Sequence, residues 1–148
     1  MKKILISAYS LDVGGIETAL ITLIKKIHLD FDVTISLEKK EGIFLKDLPD
    51  DVKIITYRPN NCKIKLVRKM INFIKQQLFK LKYKNKFEFS ACYATYSLSA
   101  SFIARNASKN NCLWVHNDYM SFYENDKNKA IAGWKFKSRK RIIKNNVY

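Results

Sequence analysis

The segment Lys3–Ile27, KILISAYSLDVGGIETALITLIKKI, decides how the fold is read. Its first six residues, KILISA, are apolar and β-prone, with the length of a strand. Further on, Ile16, Ala19, Leu20, Leu23, Ile24 and Ile27 recur at steps of three and four, which places them on one face of a helix. Gly14 and Gly15 lie between the two, and they are half of the chain's 4 glycines. Glycine permits a tight turn and lets a ligand approach the backbone. The helix start beyond it offers free N–H groups and the positive end of a dipole, which suit phosphate. Neither G-x-G-x-x-G nor a Gly-Lys-Ser/Thr loop is present. Spacing alone therefore leaves two readings open. Either the glycines only make the turn, with Glu17 favouring the helix dipole from its first turn, or the turn is a phosphate-facing loop.

Outward from this segment the pattern repeats. FDVTISL (Phe31–Leu37), VKIIT (Val52–Thr56), FEFSACY (Phe87–Tyr93) and CLWVH (Cys112–His116) each have the length and composition of a strand. Between them, Val67, Met70, Ile71, Ile74, Leu78 and Leu81 mark a second helix. Ser97–Ala107 marks a third, rich in small residues, with Ser97 or Ser99 as its N-cap. Glu38–Pro49 reads as a turn plus a short helix. Strands alternating with helices predict parallel pairing through right-handed crossovers. The expected fold is α/β: a Rossmann-like, doubly wound parallel sheet of about five strands. No internal repeat, low-complexity tract or linker interrupts the chain. Residues 1–132 form the expected domain, and 133–148, GWKFKSRKRIIKNNVY, a basic tail from truncation or an altered end.

Composition narrows the class. The chain has 148 residues, 47% hydrophobic and 13% aromatic, which suits one packed domain rather than a disordered segment. No apolar run reaches the roughly 18 residues that a membrane-spanning helix needs. The opening MKKILISAYSL imitates a secretion signal, but the run is short, Asp12 interrupts it, and no small-residue cleavage site follows. Cys62, Cys92 and Cys112 are scattered, without a Cys-x-x-Cys pair, so no zinc site is expected and a reducing, cytoplasmic setting fits. Trp114 is expected in the core, and His28 as a cap or packed residue after the first helix.

The net charge of +15, with a pI near 9.8, favours anionic partners: nucleic acid, anionic lipid or phosphorylated substrates. An RNP-like aromatic strand, a zinc finger and a convincing helix-turn-helix are all missing from the sequence, which argues against nucleic acid. The charge is concentrated in Cys62–Phe87, CKIKLVRKMINFIKQQLFKLKYKNKF, which contains no acidic residue. Phe73 and Phe79 broaden its apolar face. Lys65, Arg68, Lys69, Phe73, Lys75 and Lys80 are candidate contacts to an anionic membrane surface, since an amphipathic lysine-rich helix lies well in a bilayer interface. The alternative is a core-packed helix with a solvated lysine face.

Gly14, Gly15, Glu17, Leu20 and Leu23, placed after an apolar strand, resemble the opening of the glycosyl transferases group 1 family, which has the GT-B fold. LWVHNDY (Leu113–Tyr119) is similar to that family's strand ending in a histidine on the donor-facing side. The resemblance covers roughly residues 1–125 and implies the amino-terminal, acceptor-side half of a GT-B enzyme. Such enzymes transfer a hexose from a nucleotide-sugar, usually with retention, to a lipid-linked or saccharide acceptor, here in surface polysaccharide synthesis. By this resemblance Gly14, Gly15 and Glu17 face the donor diphosphate, and His116 contacts the donor sugar or leaving phosphate. Asp118 is either a general base or the N-cap of a helix starting near Tyr119. Neither a metal nor another cofactor is implied. The donor-binding half, with its pair of spaced glutamates, is not supplied by these 148 residues, so the chain alone is expected to be inactive. The implied location is the cytoplasmic face of the cell membrane. A module that keeps the fold and binds membrane or partner without catalysis is the alternative.

Overall fold

Strand order explains why helices lie on both faces of this molecule. The computed structural model describes residues 1–94 and 97–115. Five strands form one sheet: β1 (Lys2–Ala8), β2 (Phe31–Leu37), β3 (Lys53–Thr56), β4 (Phe89–Cys92) and β5 (Asn111–Leu113). Their order is β3-β2-β1-β4-β5, and every pairing is parallel. Helix α1 (Gly15–Ile27) connects β1 to β2, α2 (Lys65–Tyr83) connects β3 to β4, and α3 (Leu98–Ala107) connects β4 to β5. From β1 the chain first steps towards β3, then returns across β1 to β4. Crossovers of one hand must therefore use opposite faces before and after that return. The expected Rossmann-like, doubly wound sheet is what forms.

The register aligns the apolar positions. Ile6 lies opposite Ile35 on one side and Ala91 on the other. Alternation sends Ile4, Ile6 and Ala8 to one face and Leu5 and Ser7 to the other. On the first face, Leu20, Ile21 and Ile24 of α1 pack against Ile4, Ile6, Val33, Ile35 and Leu37. A 3-10 helix, Ile43–Asp47, adds Phe44 and Leu45 to the same cluster. On the second face, Leu5 meets Tyr57, Phe79, Ile103 and Ala107.

Helix α3 sits close to the sheet because its contact residues are small. Ala100 and Ala104 pack on Cys92 and Ala94. Two strand hydroxyls donate to its backbone carbonyls: Ser7 to Ala100 at 2.7 Å and Ser90 to Ala104 at 2.6 Å. Ser97 is its N-cap, accepting from the Ala100 N–H at 3.1 Å.

Three expectations need correction. Among the described residues of α2, only Phe79 is buried. Val67, Met70, Ile74, Leu78 and Leu81, the face expected to be apolar, stay exposed, Leu81 to 81%. The core-packed reading thus fails for most of this helix, because only its carboxyl-terminal half reaches α3 and the sheet. Trp114 is likewise not a core residue: it lies half-exposed against the ring of buried Tyr93, with centroids 5.1 Å apart. Strand β5 begins at Asn111 and ends at Leu113, not at His116. The expected domain boundary at 132/133 lies outside the described residues.

Candidate functional site

In a doubly wound sheet the ligand crevice opens beyond the carboxyl ends of the strands where the order reverses. Here that point lies between β1 and β4. Two helix starts face it: α1, after the loop from β1, and α3, after the loop from β4.

The α1 start has no side-chain cap. Gly14 is its N-cap and supplies no side-chain oxygen to the first-turn N–H groups. Thr18 turns back instead, its N–H and hydroxyl both donating to the Gly14 carbonyl at 2.9 and 2.8 Å. Gly14 is extended, with φ of −177°, a conformation open to any residue. Gly15 also lies outside the positive-φ region. The turn therefore does not demand glycine at either position. A Cβ on Gly15 would meet nothing within 4 Å, and one on Gly14 would meet only the far end of the Glu17 side chain, which curls back over it. Gly15 leaves the backbone exposed, whereas Gly14 is overlain by the Glu17 carboxylate.

The loop carrying them is firmly held. Fully buried Leu11 donates its N–H to Glu41 at 3.0 Å and accepts from Phe44 at 3.1 Å. The Ser10 hydroxyl donates to Asp12 at 2.6 Å. Gly42 makes this junction possible. Its φ of 122° and ψ of 151° fall in a region that is essentially glycine-only, and a Cβ there would strike the Leu11 carbonyl.

The α3 start is closed. Glu38 continues the line of β2, its N–H donating to the Ala8 carbonyl at 3.3 Å, and its side chain is only 7% exposed. The Ser97 hydroxyl donates to its carboxylate. The Ser99 hydroxyl and the Ala100 N–H also bond to it. Burial pushes the Glu38 carboxyl up to about 7, against the opposing pull of these bonds and of the Lys39 charge. Burial and the nearby Glu38 charge push the Tyr57 hydroxyl up as well. Each helix start at the crevice thus has a carboxylate of the protein's own: buried, hydrogen-bonded Glu38 at α3, and partly exposed Glu17, which curls back over Gly14, at α1.

Gly14, Gly15 and Glu17 are brought together at this edge. His116 and Asp118 lie outside the described residues. The membrane-interface candidates are spread along α2, away from the glycines. Lys65, Arg68, Lys69 and Phe73 border one shallow groove on α2 with Leu66 and Met70. Lys75 and Lys80 turn back onto the protein, Lys75 donating to the Arg58 carbonyl at 2.9 Å and Lys80 lying 5.8 Å from the Phe102 ring centre. His28 pairs with Asp51, Nδ1 to Oδ1 3.0 Å, at the end of α1. Among the described residues no three His, Cys, Asp or Glu side chains gather into a metal-binding group, and no helix is long and apolar enough to cross a membrane.

Glu38 and Gly42 are the residues that the sequence pattern did not mark. Glu38 follows an alternating strand at a position that reads as the start of a loop. The one available signal was its even spacing from Thr34 and Ser36, which puts all three on the face later covered by α3.

No protein-family model matches the chain, and no curated protein matches it.

Proposed function

We propose that this domain is the acceptor-side half of a hexosyltransferase that uses a nucleotide-sugar. The observation that carries this reading is the α1 start at the switch point, where Gly15 is exposed although the turn does not need glycine, and where the partly exposed Glu17 side chain over Gly14 swings aside to admit an anion. The α3 start is filled by buried Glu38, so of the two it is α1, covered only by the partly exposed Glu17 side chain, that can admit an anion.

In the proposed reaction the bond from the anomeric carbon to the donor phosphate breaks as the acceptor hydroxyl forms the new glycosidic bond. The hydroxyl proton passes to the departing phosphate or to a base such as Asp118. First-turn N–H groups at Gly15 and Ile16 favour the negative charge that gathers on the leaving diphosphate. His116 contacts the sugar or that phosphate. A donor-binding domain completes the cleft and supplies the other contacts, and the acceptor is a glycolipid or oligosaccharide at the inner membrane face.

The test is an amide NMR titration of the chain with uridine-, guanosine- and adenosine-diphosphate sugars. Shifts centred on Gly14–Glu17 that vanish in Gly15→Val are expected. Shifts that persist in Gly15→Val, or none at millimolar donor, overturn the assignment.

A second observation favours membrane association, as part of this function or in a non-catalytic module of the same fold. Leu66, Met70, Phe73, Ile74, Leu78 and Leu81 are all exposed on a helix whose charges are all basic. Each basic residue near an anionic surface adds about 1 kcal/mol to binding. Co-sedimentation with anionic but not neutral vesicles is expected, and the absence of vesicle binding removes this reading.

A further inference from the structure

A second concavity, with lysines on apolar walls, lies at the opposite, amino-terminal edge of the sheet. Positions of a parallel sheet that face helices are normally apolar. On the α2–α3 face, Leu5 and Ile55 obey this rule. Two residues earlier on the same strands, alternation places Lys3 and Lys53 on that face, with Asp32 and Thr34 between them on β2. The register sets Lys3 opposite Asp32 and Thr34 opposite Lys53. The last turn of α2 adds Lys82 and Tyr83, and the connection to β4 adds Lys86 and Phe87. Together they line a cavity of about 310 Å³.

The charges there do not balance. Lys53 donates to both Asp32 oxygens, at 2.8 and 2.9 Å. It is the only one of the four lysines with a carboxylate partner among the described residues. Glu88 accepts from the Lys3 backbone N–H at 2.7 Å and keeps its negative charge, but it does not line the cavity. The Lys82 ammonium lies 5.2 Å from the Tyr83 ring centre. Lysines commonly complement the carbonyl end of a helix, which would account for Lys82 and Lys86. It does not account for Lys3, which arrives from a strand, and Lys53 arrives from another already paired with Asp32. Four lysines against the single carboxylate of Asp32 leave the lining with an excess of positive charge over apolar walls, and such a concavity concentrates its field on an anion.

We propose that this cavity binds a compact anion carrying two adjacent phosphate groups. Lys3, Lys53, Lys82 and Lys86 hold the phosphates, and the remainder of the molecule rests on Tyr83 and Phe87. The volume is at the low end for small-molecule sites, which favours a diphosphate over a polymer. Lysine is suited to this as a point-charge phosphate binder. The site is separate from the glycine turn, which lies at the other edge of the sheet.

The test titrates the labelled chain with inorganic pyrophosphate at about 0.1 M salt, where distant charges are screened. Saturable shifts at Lys3, Lys53 and Lys86 are expected. Lys53→Gln/Lys86→Gln should weaken them by about tenfold or more, a loss of about 1.4 kcal/mol. Lys25→Gln/Lys26→Gln removes the same charge from the end of α1, on the other face, and should leave affinity unchanged. Equal losses in the two variants, or no saturable shifts at these lysines, overturn the proposal. Shifts at Gly14–Glu17 that survive Lys53→Gln/Lys86→Gln report the glycine turn instead. Vesicles distinguish the source of the phosphates. A Lys53- and Lys86-dependent preference for bisphosphorylated inositol lipid over phosphatidylserine, at matched surface charge, supports a lipid headgroup; pyrophosphate binding without that preference supports a soluble diphosphate.

Discussion

Ser97 gives its hydroxyl to the carboxylate of Glu38, joining residues 59 apart in sequence across the carboxyl edge of the sheet. One contact therefore ties the end of β2 to the start of α3 over the switch point. It also makes the second wall of the crevice sensitive to protonation.

The sign of that sensitivity follows from the direction in which the carboxyl moves. The Glu38 carboxyl rises from 4.5 to about 7 on folding, so the native state holds its proton more tightly than the unfolded chain. The resulting stabilisation is complete below pH 4.5 and is lost as pH rises through about 7. A tenfold change in proton affinity corresponds to about 1.4 kcal/mol, so a rise from 4.5 to about 7 makes the loss on the order of 3 kcal/mol. Denaturant melts between pH 4.5 and 8 should show this slope in the native chain and a flatter one in Glu38→Gln. Parallel slopes would sink the assignment.

Ser97→Ala removes two bonds at once, the cap on Ala100 and the donor to Glu38. A lost cap costs about 1 kcal/mol, and a weakened buried carboxylate contact costs about 1 kcal/mol more. The cost should grow above pH 7, where the carboxylate is charged and most needs the hydroxyl. Urea melts at pH 6 and pH 8 measure the difference, and equal costs at the two values would count against this coupling.

Glycine substitutions should divide sharply. Gly42→Ala forces a Cβ into the Leu11 carbonyl at a glycine-only conformation, so it should cost about 3 kcal/mol or more. Gly15→Ala meets no neighbour and needs no unusual backbone, so its stability should be unchanged or raised by about 0.5 kcal/mol. Thermal melts of the two variants decide this. A destabilised Gly15→Ala would restore the view that this glycine serves the turn.

The legibility of the sequence followed the range of the interactions. Strands β1 and β2 and helix α1 were readable because their apolar periods, two and three to four residues, are local and strong. Helix α3 was readable from its small residues and its cap. The burial of Glu38 was not, because it depends on a helix whose N-cap lies 59 residues later. Gly42 was hidden because its constraint comes from Leu11, across a loop junction. The glycines at 14 and 15 stand out for their place in the pattern, yet turn geometry does not require them. Helix α2 shows the limit of periodicity: it identifies the apolar side, but not what covers it.

That limit yields the final expectation. Phe79 is the buried anchor of α2, with its ring 5.6 Å from Tyr57, 5.1 Å from Tyr83 and 6.1 Å from Phe102. Phe79→Ala should cost about 3 kcal/mol or more, because it opens a cavity within this aromatic cluster. Leu66, Phe73 and Leu81 lie on the same helix, yet each is at least 59% exposed. Replacing all three with serine should change stability by no more than about 1 kcal/mol, since such side chains lose little contact. The same triple variant should lose binding to anionic vesicles, whereas its fold and melting temperature persist. Folding and membrane docking then separate along one helix. If the triple variant unfolds as readily as Phe79→Ala, the exposed row is part of the fold and not a docking surface.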